Sequence, residues 1–541
     1  MDLIQCYIKE VKEPDLTPAI LVIAAAVAQG LLLSVIIKAS SLVSPGNLNF
    51  QYLLIYLFLF AIFLYGKNYG LKKTSDVMSE LMETLKLRIS DKIRQSELLD
   101  IERMGPERIY TQLTNDTGQI NESAIMIMNS FQSCIMVCVC AIYILFISQL
   151  AFLISVASFI FVLFLYIVVF RKSYDEELDK TLQKDISTME MFNQFLSGFK
   201  ELKLNQSMSD EHFQHYQQVL NETRELKTKT GYKYVTHIMF SQIFYYTFFA
   251  IILFVLPSIS HTTADIVIKV IATGMFIMSP FNMFVGTIPL YVKSSKAIDN
   301  IYDLEKSLDE HIKTEATDKN SALAKNETFE KIELKDVQFS HRSTTGTDVF
   351  TLGPINLTIK RGELIFITGG NGSGKSTLMK VLCGLYPPDS GMIKLDDSSL
   401  EDITYPLYRE LFSVIMSDFY LFERLYGIEN PDKLLVKTLL QQMQLEHKTD
   451  VVNSCFTNIR LSTGQRKRLA MIAAILQDKP IYIFDEWAAD QDVDFRIYFY
   501  ETLLKDLKSN GKTIIAVSHD DRYYHVADRV LKMDYGIFVE Q

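Results

Sequence analysis

A chain of 541 residues that is 48% hydrophobic is long enough for two or more domains. Its formal net charge of −10 leaves no basic footprint, which argues against nucleic acid as a partner. The six cysteines, Cys6, Cys134, Cys138, Cys140, Cys383 and Cys455, have no paired C-x-x-C spacing and read as small buried hydrophobes of a reducing compartment, not as a disulfide or metal framework.

Residues 1–15 mix Lys9 and Lys12 with Glu10, Glu13 and Asp15, unlike the basic start of a cleaved signal peptide, so the apolar segment that follows is expected to stay. Six apolar segments occupy 18–37, 52–65, 124–147, 151–170, 235–256 and 266–292. Most reach the ~20 residues that a helix needs to span hydrocarbon. The connections at 40–50, 148–150 and 258–265 carry no Lys or Arg. The two long loops, 67–108 and 171–233, are rich in Lys and Arg, with Lys72, Lys73, Lys86, Arg88, Lys92, Arg94 and Arg103 in the first and acidic residues mixed in through the second. By the positive-inside rule the long loops, the N-terminus and the C-terminal half are cytoplasmic. Within these loops, 69–100 and 172–195 show apolar residues at three- and four-residue spacing, so the helices are predicted to continue beyond the membrane. Breaks at Met104-Gly105-Pro106 and at Ser197-Gly198 predict a short lateral element at each tip, on which a soluble domain can press.

The chain turns polar at 306–327, which reads as a linker between a membrane domain, 1–305, and a second domain, 328–541, opening with strand-like alternation at 329–339. There the run Leu364–Ile367 leads into Gly369-Gly370-Asn371-Gly372-Ser373-Gly374-Lys375-Ser376-Thr377 and then a helix-like run, the strand-loop-helix setting of a phosphate-binding P-loop. The glycines let successive N–H groups face one anion, Lys375 is placed for the β- and γ-phosphates, and the Ser376 hydroxyl for Mg²⁺. Leu461-Ser462-Thr463-Gly464-Gln465 begins a second anion-friendly helix. The buried-strand run Ile481–Phe484 ends in Asp485, placed to position Mg²⁺, and Glu486, with the reach of a general base. A further strand, 514–518, delivers His519.

This ordered set, together with Asp492 in Ala489-Asp490-Gln491-Asp492, resembles the nucleotide-binding domain of ABC transporters. Six spans ahead of it resemble an ABC exporter half-transporter over essentially the whole chain. More narrowly, the P-loop, 485–492 and Ser518-His519-Asp520-Asp521 are similar to the cyclic-peptide exporter group, which includes exporters of lasso-peptide microcins and siderophore precursors. The resemblance implies a homodimer in the inner membrane that binds ATP and Mg²⁺. In it Ser462, Gly464 and Gln465 reach the γ-phosphate bound by the partner subunit, Glu486 polarises water, His519 is the switch histidine and Asp492 the D-loop aspartate. The implied function is ATP-driven export of a peptide or other small amphipathic cargo. A lipid or multidrug exporter is the alternative that Gln29, Gln132, Gln242 and Asn282 inside the spans leave open, and a tethered ATPase acting on nucleic acid or ribosomes is the alternative of another class. Three positions depart from the pattern. Thr463 replaces a glycine, Ser417 stands where the family has its Mg²⁺-ligating glutamine, and His341 takes the place of the aromatic that stacks on adenine.

Overall fold

In hydrocarbon a backbone must satisfy its own N–H and C=O groups, and the apolar runs of the first half accordingly fold as helices. The computed structural model describes residues 3–10, 16–42, 49–166, 172–260, 263–311, 329–342, 349–400 and 405–539. The chain divides into two units, Met1–Arg94 with Pro106–Asp309, and Gln95–Gly105 with Glu310–Gln541.

The first unit holds α1 (Leu3–Glu10), α2 (Thr17–Ser41) and α3 (Phe50–Gln95). After α4 (Leu98–Met104), which belongs to the second unit, come α5 (Pro106–Thr111), a π-turn, α6 (Thr117–Ile147), α7 (Gln149–Tyr166), α8 (Lys172–Ser197), α9 (Phe199–Leu204), α10 (Gln206–Ala250), another π-turn, α11 (Leu256–Ile259) and α12 (Ala264–His311). Among the described residues four helices are long and apolar enough to cross a membrane: Thr17–Ser40, Phe50–Gln95, Arg108–Ile147 and Ala264–Glu310. Shorter apolar helices, Gln149–Ser158 and Tyr245–Ile259, lie where the fourth and fifth runs were read, and 167–170 of the fourth run fall outside the described residues. The apolar window of α3 is only 6% buried, as a lipid-facing helix should be. Small residues let α3 approach α2 closely: a Cβ on Gly66 would stand 2.9 Å from the Leu21 carbonyl oxygen.

Beyond the apolar windows the helices continue as the spacing predicts. Met78, Leu81, Met82, Leu85 and Ile89 form a buried stripe on α3, and α8 lies against α10 through the pairs Lys184–Glu222 and Lys227–Asp185. The second hairpin breaks at Gly198, and Asn205 caps α10 by accepting the Met208 N–H at 3.1 Å. The first hairpin breaks twice, after Gln95 and at Gly105, whose φ of 82° ends α4. The stretch read as linker begins as helix, because Ile298, Ile301, Leu304 and Leu308 form a buried stripe that carries α12 to His311; residues 312–328 lie outside the described residues.

In the second unit the elements run β1 (Lys331–Arg342), β2 (Val349–Lys360), β3 (Leu364–Thr368), α13 (Lys375–Leu382), β4 (Ser390–Leu395), β5 (Ser398–Ser399), α14 (Tyr405–Arg409), β6 (Phe412–Ile415), α15 (Lys433–Gln442), β7 (Val451–Val452), β8 (Cys455–Phe456), α16 (Thr463–Gln477), β9 (Ile481–Asp485), α17 (Val493–Tyr498), α18 (Leu504–Ser509), β10 (Thr513–Val517), β11 (Arg529–Asp534) and β12 (Ile537–Val539). Of three sheets among the described residues, β2-β1-β4-β5 is antiparallel and β7-β8 is a two-stranded antiparallel pair. The other has the order β12-β11-β3-β10-β9-β6, with all neighbours parallel except the edge pair β11–β12. Both faces of the parallel sheet are covered at its centre, which is why β3, β10 and β9 are apolar on both sides. Ile365 and Ile367 pack toward β1, β2 and α13, while Leu364 and Phe366 pack toward α15 and α16. In β1 the buried positions switch phase between Leu334 and Val337, where a bulge with Asp336 at φ 51° shifts the register.

Candidate functional site

The order β3-β10-β9-β6 sets the site. Val517 of β10 pairs with Ile367 of β3 on one side and with Asp485 of β9 on the other, so the P-loop, His519 and Asp485-Glu486 leave the carboxyl ends of three adjacent parallel strands. Ser417 follows β6, whose Ile415 pairs with Phe484, and so lies on the same edge one strand further out. It is exposed.

The P-loop conformation is set by its surroundings. Gly369 has φ 147°, and a Cβ there would stand 2.1 Å from the Met533 carbonyl oxygen, so this position is closed to any other residue. Gly370, Asn371 and Gly372 form the turn, and Gly374 precedes α13 in a left-handed conformation. Lys375, 5% exposed, donates from Nζ to the carbonyls of Gly369 at 3.0 Å and Gly370 at 2.9 Å and lies 4.0 Å from Glu486 Oε1. The ammonium is thus folded over the mouth of its own loop. Ser376 is exposed and Thr377 half-buried behind it.

Among the described residues two polar groups at this edge are buried without a protein partner: Ser373 Oγ and both carboxylate oxygens of Asp485. Asp485 is 1% exposed, and a carboxylate so placed demands a cation or ordered water. The donor set of Ser376 hydroxyl and Asp485 carboxylate is all oxygen, the type that Mg²⁺ selects. Next to it Glu486 adopts a left-handed backbone, φ 50°, and its Oε1 is 3.0 Å from His519 Nε2. A carboxylate held by an imidazole at a phosphate-binding edge can accept a proton from water and be kept in place while doing so.

The segment 461–465 forms a separate feature. Ser462 caps α16, accepting the Gln465 N–H while the Gln465 side chain accepts the Ser462 N–H, a closed capping box. Ser462 and Thr463 are exposed, and Thr463 is accommodated in the first turn. Gly464 is not replaceable, because a Cβ would stand 2.6 Å from the Asp490 carbonyl oxygen. Asp492 caps α17 through the Phe495 N–H at 2.8 Å and pairs with Arg468 at 2.6 Å. That N–H, and after it the Arg468 guanidinium, hold the Asp492 carboxyl below the usual carboxylate range against the opposing effect of burial. His341 is exposed on β1 opposite Phe350, whose ring would meet a Cβ on Gly374 at 2.6 Å, so this β1–β2 pair borders the P-loop.

Sequence reasoning missed the residues that join these parts. Lys467, 3% exposed, donates to the Glu486 carbonyl at 3.0 Å and pairs with Asp490 at 2.7 Å; Gln491 donates to the Gly464 carbonyl at 3.1 Å; and the Trp487 indole donates to the Lys467 carbonyl at 3.0 Å. Their partners are distant in the chain, and only the basic character of 466–468 was visible.

The helical membrane unit, the α/β nucleotide unit and the phosphate-binding edge define an ATP-powered membrane transporter. Residues 16–293 match the ABC transporter transmembrane region and residues 352–489 the ABC transporter family, and the chain belongs to that family as an exporter. It is an ATP-binding, transport-coupled ATPase of the inner membrane, with its nucleotide-binding domain cytoplasmic. It is 33% identical to the ATP-binding protein SyrD of Pseudomonas syringae pv. syringae over 476 residues, 85% of this chain and 82% of that protein. An ATP-dependent lipid A-core flippase of Ralstonia nicotianae is 30% identical over 204 residues, 35% of this chain and 34% of that one. Among solved structures, a bacterial Atm1-family ABC exporter with ATP bound has a TM-score of 0.75 at 15% identity, covering 97% of this chain and 93% of that chain, a likeness of fold.

Proposed function

We propose that two copies of the chain form a homodimeric exporter that moves a peptide or peptide-derived natural product outward at the expense of ATP. Ser376 and Asp485 would hold Mg²⁺, which neutralises charge on the β- and γ-phosphates when bound. Ser417, too short to replace a glutamine's reach, adds no direct ligand. Lys375 takes the β- and γ-phosphates, Glu486 accepts the proton of the attacking water, and His519 orients that carboxylate. His341 borders the base, while Ser462, Gly464, Gln465 and Asp492 serve the nucleotide of the partner subunit. The observation that carries the hydrolytic reading is the Glu486–His519 contact beside the buried, unpartnered Asp485. The peptide cargo is supported by the motifs shared with the cyclic-peptide exporter group. The similarity to a lipid flippase spans about a third of the chain and makes lipid cargo the competing reading.

The test uses the purified chain in liposomes. Glu486→Gln should keep ATP binding, lower turnover about 100-fold and accumulate a closed, nucleotide-bound dimer; near-normal turnover removes Glu486 from the role. Wild-type ATPase should rise with amphipathic peptides and not with lipid A, and the reverse response would establish the lipid reading.

A further inference from the structure

A cavity of about 370 Å³ lies inside the membrane unit, lined by residues of α2, α3, α6 and α12. Two members of its polar lining are placed to meet a ligand. Gln132, 3% exposed, donates from Nε2 to Gln29 Oε1 at 3.2 Å, but its own Oε1 is buried with no hydrogen-bond partner among the described residues. The Lys67 ammonium, 5.7 Å from the Phe63 ring centroid, has no carboxylate partner among the described residues. Met136, Met275, Phe276 and Met283 make up most of the apolar wall.

Depth can be read from the helices at 1.5 Å per residue. Gln132 lies about 22 Å from the outer end of α6, Lys67 about 25 Å from that of α3 and Ser279 about 22 Å from that of α12. In a hydrocarbon layer about 30 Å thick this is one level, in the cytoplasmic half. An ionisable group there, facing a cavity, marks a ligand path. Thioether side chains adapt to apolar surfaces of different shape, so the wall sets few demands and the two polar groups set the specificity.

We propose that this cavity receives the cargo through an anionic group, a peptide carboxylate placed against the Lys67 ammonium. An amide N–H of the same molecule donates to Gln132 Oε1, and its apolar body lies along the methionines and Phe276. The proposal rests on the peptide-export reading and narrows it to acidic amphipathic peptides.

The experiment measures binding to the full chain in phosphatidylcholine nanodiscs, with N-lauroyl-Ala-Ala-Phe as the free acid and as the C-terminal amide. The acid should bind about tenfold more tightly. Lys67→Met should abolish that preference, Lys67→Arg should keep it, and Gln132→Met, nearly equal in volume but without an acceptor of this kind, should weaken both forms about threefold. An unchanged gel-filtration profile and thermal unfolding midpoint of the detergent-solubilised full chain show that each variant's membrane unit is folded. Equal affinity of acid and amide for the wild type, or a preference that survives Lys67→Met, overturns the anionic subsite and leaves peptide export standing. If neither peptide binds while added dioleoylphosphatidic acid binds in a Lys67-dependent manner, the site takes a lipid headgroup, and both this proposal and the peptide reading fall. Absence of binding by any of the three overturns the subsite.

Discussion

Lys467 shows how a single buried charge can serve catalysis without touching substrate. A buried ammonium is tolerable only if its donors are matched, and both of its acceptors, the Glu486 carbonyl and the Asp490 carboxylate, lie on the turn that carries the candidate base. That turn holds Glu486 at φ 50°, a conformation that costs a non-glycine residue about 1–3 kcal/mol and persists only when its surroundings enforce it. Lys467 is therefore a positioning residue: it fixes the backbone from which the Glu486 carboxylate is aimed. Replacing it with Met should lower kcat about tenfold through misplacement of the base while leaving the KM for ATP nearly unchanged, because the P-loop does not depend on it. Lys467→Arg should recover part of the rate. Steady-state kinetics on protein matched for ATP binding would check this. A proportional fall in folded protein with unchanged kcat per binding site would show a purely structural role.

At the scale of elements, α4 is the part of the first hairpin that belongs with the nucleotide unit. Leu98 and Leu99 pack on the core beside α13, Glu97 accepts from Arg409, and Glu102 accepts from Tyr386 and, at 3.1 Å, from Lys380. Lys380 lies on α13, the helix that begins at Lys375, so a push on α4 reaches the phosphate-binding helix through one residue. Burial works against the Lys380 charge, but its bonds to Tyr386 and Glu102 outweigh burial and raise its pKa, which keeps the ammonium charged at neutral pH. Partly exposed pairs contribute only about 0–1 kcal/mol each, so Glu97→Ala with Glu102→Gln should leave the fold and the basal ATPase nearly intact. The cargo-stimulated part of the rate should fall severalfold. Equal loss of basal and stimulated rates would deny α4 a coupling role. The sequence revealed only half of this arrangement. Gly105-Pro106 marked one end of α4, but the break at Ser96-Glu97 contains neither glycine nor proline and arises from docking. In the same way Leu308 hid a helix inside a polar stretch, because one apolar residue completes a stripe only when the three before it are counted. The P-loop and the strand ending in Asp485-Glu486 were legible because each is written in consecutive residues, whereas the phase shift in β1 was not legible and reads as plain alternation, because the bulge at Asp336 leaves no glycine or proline to mark it. The Lys467 and Arg468 contacts were not, because their partners are brought in by the tertiary fold.

For the whole molecule, the question is why one chain carries two anion-binding helix starts. Among the described residues no hydrogen bond joins 461–465 to 369–376, and the exposed Ser462 and Thr463 bind nothing in their own chain beyond the α16 cap. Two such helix starts face one triphosphate only by approaching from opposite sides, which a two-fold pair provides twice. Mixed dimers test this. Lys375→Ala removes the proposed phosphate ligand, and Gly464→Asp drives a side chain against the Asp490 carbonyl, so each homodimer should be inactive. If sites are shared between chains, the mixed dimer has one site with both lesions and one with none, and ATPase activity should return to about half the wild-type rate per dimer. If each chain closes its own site, every site keeps one lesion and mixing restores nothing. A mixed dimer that occludes one nucleotide without turning it over would mean that the clean site forms across the interface and that hydrolysis needs both sites intact. A mixed dimer that neither occludes nor hydrolyses would exclude the shared site.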